Sequence, residues 1–163
     1  MKKTTAFLCL VAVFVCVLSS CGSNEYRDDV SCESLTDAIR EAVPCESGYS
    51  QFDADELEYL FGALPLCSEK SVIYSTENTD INEIGVFRTE NPDAASEVRD
   101  SVLAYIAEMQ EDQISFIASY APAEVPKLEG AEVRVMGNYV IYAVLSKSER
   151  NAAFDAAEKI LKI

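Results

Sequence analysis

The chain contains no histidine and no tryptophan among its 163 residues. The missing imidazole removes the Ser-His-Asp triad, the Cys-His pair, the HExxH zinc site and the three-histidine metal site, each of which needs a group that titrates or coordinates near neutral pH. Positive charge is scarce as well: 13 Lys and Arg stand against 28 Asp and Glu, for a net charge of −15. That balance excludes the basic face on which nucleic-acid phosphates bind. No CxxC pair occurs, so neither a metal nor a cofactor is expected. A bilayer-spanning helix takes about 20 apolar residues, and the longest apolar run, Ala6 to Leu18, has 13.

What is present at the N-terminus is an export signal. Met1-Lys2-Lys3 is a positive n-region, and Ala6 to Leu18 is the right length for an h-region. Its last residue and the three that follow, Leu18-Ser19-Ser20-Cys21, resemble the lipobox of bacterial lipoproteins. The resemblance implies cleavage between Ser20 and Cys21, a diacylglyceryl thioether on Cys21, and a protein lipid-anchored to the cell membrane and facing its extracytoplasmic side. Several acyl chains on one residue hold a protein far more firmly than one. Lys2 and Lys3 leave with a signal that carries no acid, so the mature chain has 11 bases against 28 acids and a charge of −17. Its length is that of one domain with a core of its own.

Three cysteines besides Cys21 remain, Cys32, Cys45 and Cys67. A helix between Cys32 and Cys45 would hold them about 20 Å apart, beyond the reach of a disulfide. An antiparallel pair of N-terminal helices brings Cys67 back toward Cys32, which makes Cys32–Cys67 the better candidate bridge. Three free thiols is the other reading.

Residues 1–20 form the signal, 21–30 read as a flexible tether, and 31–163 as a single α+β domain. Ser34 to Asp37 fits a capping box for a first helix that stops before Pro44, and Asp53 to Glu56 opens a second that ends at Gly62. From Lys70 the apolar period changes from 3.6 to 2, giving two runs around Val72 and Val86. Asn91-Pro92 then caps a long helix with Ala95, Val98, Val102, Tyr105, Ile106, Met109, Phe116, Ile117 and Tyr120 on one stripe. Ala121 to Ala131 reads as a loop. Gly137-Asn138 joins the next hairpin, in which Val135 pairs with Val140 and Val133 with Tyr142. A last helix runs from Ser148 to Leu161. The expected architecture is a four-stranded, mainly antiparallel sheet of two hairpins, with the long helix and the C-terminal helix on one face, preceded by two short helices.

A lipobox, an acidic helix, the strand NEIGVFR (82–88), a long helix and the hairpin GNYVIYAV (137–144) together resemble the bacterial lipoproteins grouped as domain of unknown function 4358, mostly from Gram-positive anaerobes such as gut Clostridia. The resemblance covers about residues 57–162. It implies an extracytoplasmic lipoprotein and carries over no catalytic residue.

The acidic groups Asp28-Asp29, Asp53/Asp55/Glu56 and Glu108/Glu111/Asp112 read first as solvated faces or helix caps. No GxSxG or SxxK occurs, and Cys67 has only Lys70 near it in sequence. A non-catalytic module that binds an envelope protein or small ligand is the preferred function, with Arg134, Met136, Tyr139 and Ile141 as its candidate surface. A carboxylate-dependent cell-envelope hydrolase is the alternative, and it requires two acids converging in a cleft.

Overall fold

The computed structural model describes residues 25–62 and 64–163; the signal segment, Ser20 and Cys21 lie outside them. Helix α1 (Cys32–Ala42) starts where the Ser31 hydroxyl accepts from Ser34 N–H, three residues before the predicted cap, and it stops ahead of Pro44. Strand β1 (Tyr49–Gln51) leads to α2 (Ala54–Phe61), whose Asp53 and Glu56 cap one another reciprocally and whose exit is Gly62 at φ 67°. Strands β2 (Cys67–Ser75) and β3 (Glu83–Thr89) precede the long helix α3 (Pro92–Tyr120), capped by the Asn91 side chain with Pro92 in its first turn. A 3₁₀ turn (Pro122–Glu124) and a short helix α4 (Val125–Glu129) occupy the segment expected to be a loop. Strands β4 (Glu132–Met136) and β5 (Tyr139–Val144) then form the predicted hairpin, and α5 (Lys147–Leu161) follows a Ser146–Glu149 capping box.

The sheet is antiparallel throughout, in the order β1-β2-β3-β5-β4. It has five strands where four were expected. The extra strand, β1, has three residues, too few to show a period of two; its pairing with Ile73 to Ser75 specifies it. The register of the last hairpin is as read from sequence, Val135 opposite Val140 and Val133 opposite Tyr142. Gly137 at φ 61° supplies the turn.

The two helices expected on one face lie on opposite faces. Alternate residues of β5 are buried on both sides: Tyr139, Ile141 and Ala143 pack with α1 and α5, while Val140, Tyr142 and Val144 pack with α2, α3 and α4. A strand apolar on both faces requires cover on both, so the domain is an α+β fold of three layers. This arrangement also removes the predicted binding surface. Met136, Tyr139 and Ile141 are buried under α1 and α5, and the Arg134 guanidinium lies 4.1 Å above the Phe154 ring with its Nε donating to Glu132.

Part of the predicted tether is likewise docked. Tyr26 bridges Lys162, Arg27 N–H donates to Leu161 O at 2.8 Å, and the Tyr139 hydroxyl both donates to Val30 O and accepts from Val30 N–H. Among the described residues no helix is long and apolar enough to cross a membrane.

At the sheet centre Gly85 faces Tyr142, and a Cβ at Gly85 would clash severely with the ring carbon Cε1. Gly85→Ala should therefore lower stability by about 1–3 kcal/mol, the usual cost of overpacking, read from urea unfolding midpoints; an unchanged midpoint would show that the ring moves freely.

Candidate functional site

The site is built outward from a carboxylate in the apolar layer. Glu83 opens β3 on the α3 side of the sheet and is buried. Its Oε1 accepts from the Tyr142 hydroxyl at 2.6 Å and from the Tyr105 hydroxyl at 2.9 Å. Burial pushes the Glu83 carboxyl above its ordinary value, and the two phenol donors draw it back only in part. Burial and the adjacent carboxylate raise Tyr105 and Tyr142, so both phenols stay protonated as donors. Phe61 of α2 rests on Tyr105 with ring centroids 4.4 Å apart and meets Phe87 edge-on at 5.2 Å. Glu83 thereby fixes Tyr105 of α3 to the sheet, and Tyr105 fixes α2.

Between α2 and α3 this leaves an open groove of about 420 Å³. Tyr59, Leu60, Tyr105 and Met109 supply its apolar surface, with Glu108 and Asp112 on the α3 side. Tyr59 is 89% exposed. Beyond the groove, further along α3, the rings of Phe116 and Tyr120 pack in a tilted pair with centroids 4.6 Å apart and are 65% and 74% exposed. These two belonged to the predicted core stripe; in the structure only Ile117 of that last turn is buried, because α3 outruns the sheet and α4 covers one side alone.

A second, polar cleft lies where Pro44 to Ser47, the β2–β3 turn, α4 and the start of α5 meet. Lys127 Nζ bridges Asp80 at 2.9 Å and Glu124 at 2.7 Å, and those acids accept the N–H groups of Asn82 and Ile81. Burial opposes both charges, yet the ion pair holds Asp80 below its ordinary value and Lys127 above. The Cys45 thiol touches Ser47, Ser75 and Asp80 at 3.1–3.5 Å. No base stands ready to take its proton, since Asp80 is committed to Lys127. Among the described residues no cluster of three or more metal-ligating side chains is placed to hold an ion.

Cys32 and Cys67, the candidate bridge, are both free, as is Cys45. Cys32 packs in the α1–α5 layer and Cys67 against the α2–α3 layer, so the sheet edge separates them. Burial pushes Cys32 up to about 12 and Cys67 to about 11. Asp53 and Glu56 are helix caps, as expected. Sequence reading passed over Glu83; its signal was an acid at the head of an apolar strand whose Gly85 leaves room for an aromatic.

The fold and groove together define a three-layer α+β domain with an acid-flanked aromatic cleft on one side. The chain belongs to the family described as domain of unknown function (DUF4358), whose model matches residues 43–145. The matched segment holds the sheet, α2, α3, α4 and the whole α2–α3 groove, and leaves α1, α5 and with it the Glu149 side of the polar cleft outside. No curated protein and no solved structure matches the chain.

Two outcomes follow from these environments. Because Glu83 is raised in the folded state, its contribution is favourable below its ordinary value of 4.5 and is lost as pH rises through the folded value. The stability of the wild type relative to Glu83→Gln should therefore fall as pH increases above 4.5; urea midpoints that run parallel across pH would refute the assignment. Of the three described cysteines, iodoacetamide at mildly alkaline pH should modify Cys45 first and leave buried Cys32 untouched until denaturant is added, read by peptide mass mapping.

Proposed function

We propose that this protein is a lipid-anchored extracytoplasmic lipoprotein whose domain is a non-catalytic binding module with the α2–α3 groove as its site. The observation that carries the binding reading is the groove itself: the exposed Tyr59 ring beside a floor immobilised by the Glu83–Tyr105–Tyr142 hydrogen bonds. Preorganised aromatic surface costs little entropy on binding and contributes large contact area.

The anchor reading rests on Leu18-Ser19-Ser20-Cys21 at the end of an h-region. Three residues separate Cys21 from Glu25, a span of at most about 14 Å. From Tyr26 onward the chain is tied to α5 and, through Val30, to Tyr139. The docked segment packs with the α1–α5 layer, and the groove lies across the sheet from it. A short leash on one face leaves the other clear for a partner.

A hydrolase would need two cleft acids with pKa values pushed apart. The acid that is pushed up, Glu83, is enclosed by two phenols, and the cleft acid Asp80 is held down by Lys127. That arrangement favours binding over hydrolysis.

Cys21→Ala should abolish metabolic palmitate labelling and release the protein from the membrane fraction; undiminished labelling overturns the anchor. Product release from peptidoglycan or envelope peptides that disappears in Glu108→Gln/Asp112→Asn would overturn the non-catalytic reading.

A further inference from the structure

The C-terminal half of α3 carries a stripe that begins half-buried at Tyr105 and Met109 and ends fully exposed at Asp112, Phe116 and Tyr120. Tyr105, Met109, Asp112, Phe116 and Tyr120 follow one another at spacings of three and four, so they share one side of the helix. The stripe rises about 22 Å from end to end at 1.5 Å per residue. Its base is the groove against Tyr59 and Leu60, and its far end is the solvent-facing Phe116–Tyr120 pair. Ile117 and Leu128 are buried beside it, which holds this end of the helix in place.

Both walls of the groove come from stretches without a single base. No Lys or Arg occurs between Arg40 and Lys70, nor between Arg99 and Lys127. Glu108 and Asp112 line the groove on α3, and Asp55 and Glu56 lie beside Tyr59 and Leu60 on α2, with no cation of either stretch beside them.

We infer that the α2–α3 groove docks a basic amphipathic segment of another envelope protein, its apolar side chains on Tyr59, Tyr105, Met109 and Phe116 and its cations on the flanking carboxylates. The inference rests on the groove being the binding site and names the chemistry of its partner. A helix laid in a groove is anchored at i, i+3/i+4 and i+7, the spacing the stripe presents. A neutral apolar partner would strip water from the carboxylates without replacing it, which is costly. A second copy of this chain, with its net charge of −15, and an anionic lipid surface both meet like charge. A cation-bearing partner satisfies the apolar stripe and the acids together.

The test uses the purified full-length chain in detergent, with empty micelles as blank, and fluorescence anisotropy of three labelled peptides of about four helical turns: Lys/Leu amphipathic, Glu/Leu amphipathic and Lys/Ser. The Lys/Leu peptide should bind at least about tenfold more tightly than either other peptide. Tyr59→Ala and Phe116→Ala should each weaken it several-fold. Glu108→Gln/Asp112→Asn should weaken it and flatten its salt dependence. Leu103→Ala, 46% exposed on the other side of α3, and Glu33→Gln/Glu41→Gln on α1 should leave it unchanged. Equal weakening by the α1 pair would mean diffuse attraction to net charge and overturn the inference. Preferential binding of the Glu/Leu peptide, still lost in Tyr59→Ala, would overturn the partner's charge and leave the groove as the site. Binding of all three peptides insensitive to Tyr59 and Phe116 would overturn both.

Discussion

A carboxylate taken out of water needs partners that replace its hydration, and in this domain that requirement falls on Glu83. Its two hydrogen-bond donors come from different layers, Tyr142 from the centre of the sheet and Tyr105 from α3. Desolvation of an unpaired charge costs several kcal/mol or shifts the group to its neutral form. Both phenols must therefore be in place, and the long helix has one satisfactory position over the sheet. Tyr105 in turn sets Phe61 and with it α2. An apolar interface alone would tolerate sliding; hydrogen bonds of 2.6 and 2.9 Å do not.

The other face is held by different means. Cys32, Leu35 and Ile39 of α1 meet Ala153, Phe154, Ala157 and Leu161 of α5 over Ile84, Val86 and Ile141. The Arg134 guanidinium closes this layer by stacking on Phe154, and the Tyr139 hydroxyl ties in the entering chain at Val30. The face is apolar and covered along its length, so it offers a partner little. The division between the faces follows from helix length: α5 has 15 residues and stays over the sheet, whereas α3 has 29 and runs past it. The stretch that runs past carries the exposed aromatics.

Local chemistry was legible in the sequence wherever a few adjacent residues determine the outcome. The Asp53–Glu56 box, the Asn91-Pro92 start and the Gly137-Asn138 turn each act through their own backbone. What sequence concealed depends on residues far apart. β1 exists because Ser75 to Ile73 offer it an edge. The sheet face on which a helix settles is decided by the competition of five helices for two apolar surfaces, and periodicity records only that a helix has an apolar side. Sequence alone therefore leaves open whether the N-terminal helices or a partner cover the surface around Tyr139 and Ile141. Glu83 was concealed more deeply, since an isolated acid at a strand end is ordinarily solvated and only the meeting of β5 with α3 encloses it.

The excess of acid takes a sharper meaning once each carboxylate is placed. Some acids are structural: Asp53, Glu56 and Glu149 cap helices, Glu69 pairs with Arg88, Asp80 and Glu124 hold Lys127, and Glu83 orders the core. Among the described residues, Asp55, Glu58, Glu108, Glu111 and Asp112 join no salt bridge. They stand on the same two helices that present Tyr59, Tyr105 and Met109, and Asp55, Glu108 and Asp112 border the groove itself or the surface beside it. Like charges gathered on these helices repel one another and disfavour the folded state, and nothing in the packing of α2 or α3 calls for them, since all five are exposed. Their concentration beside exposed aromatics has a physical use in recognition, where an incoming cation relieves the repulsion and the aromatic surface is buried in one event.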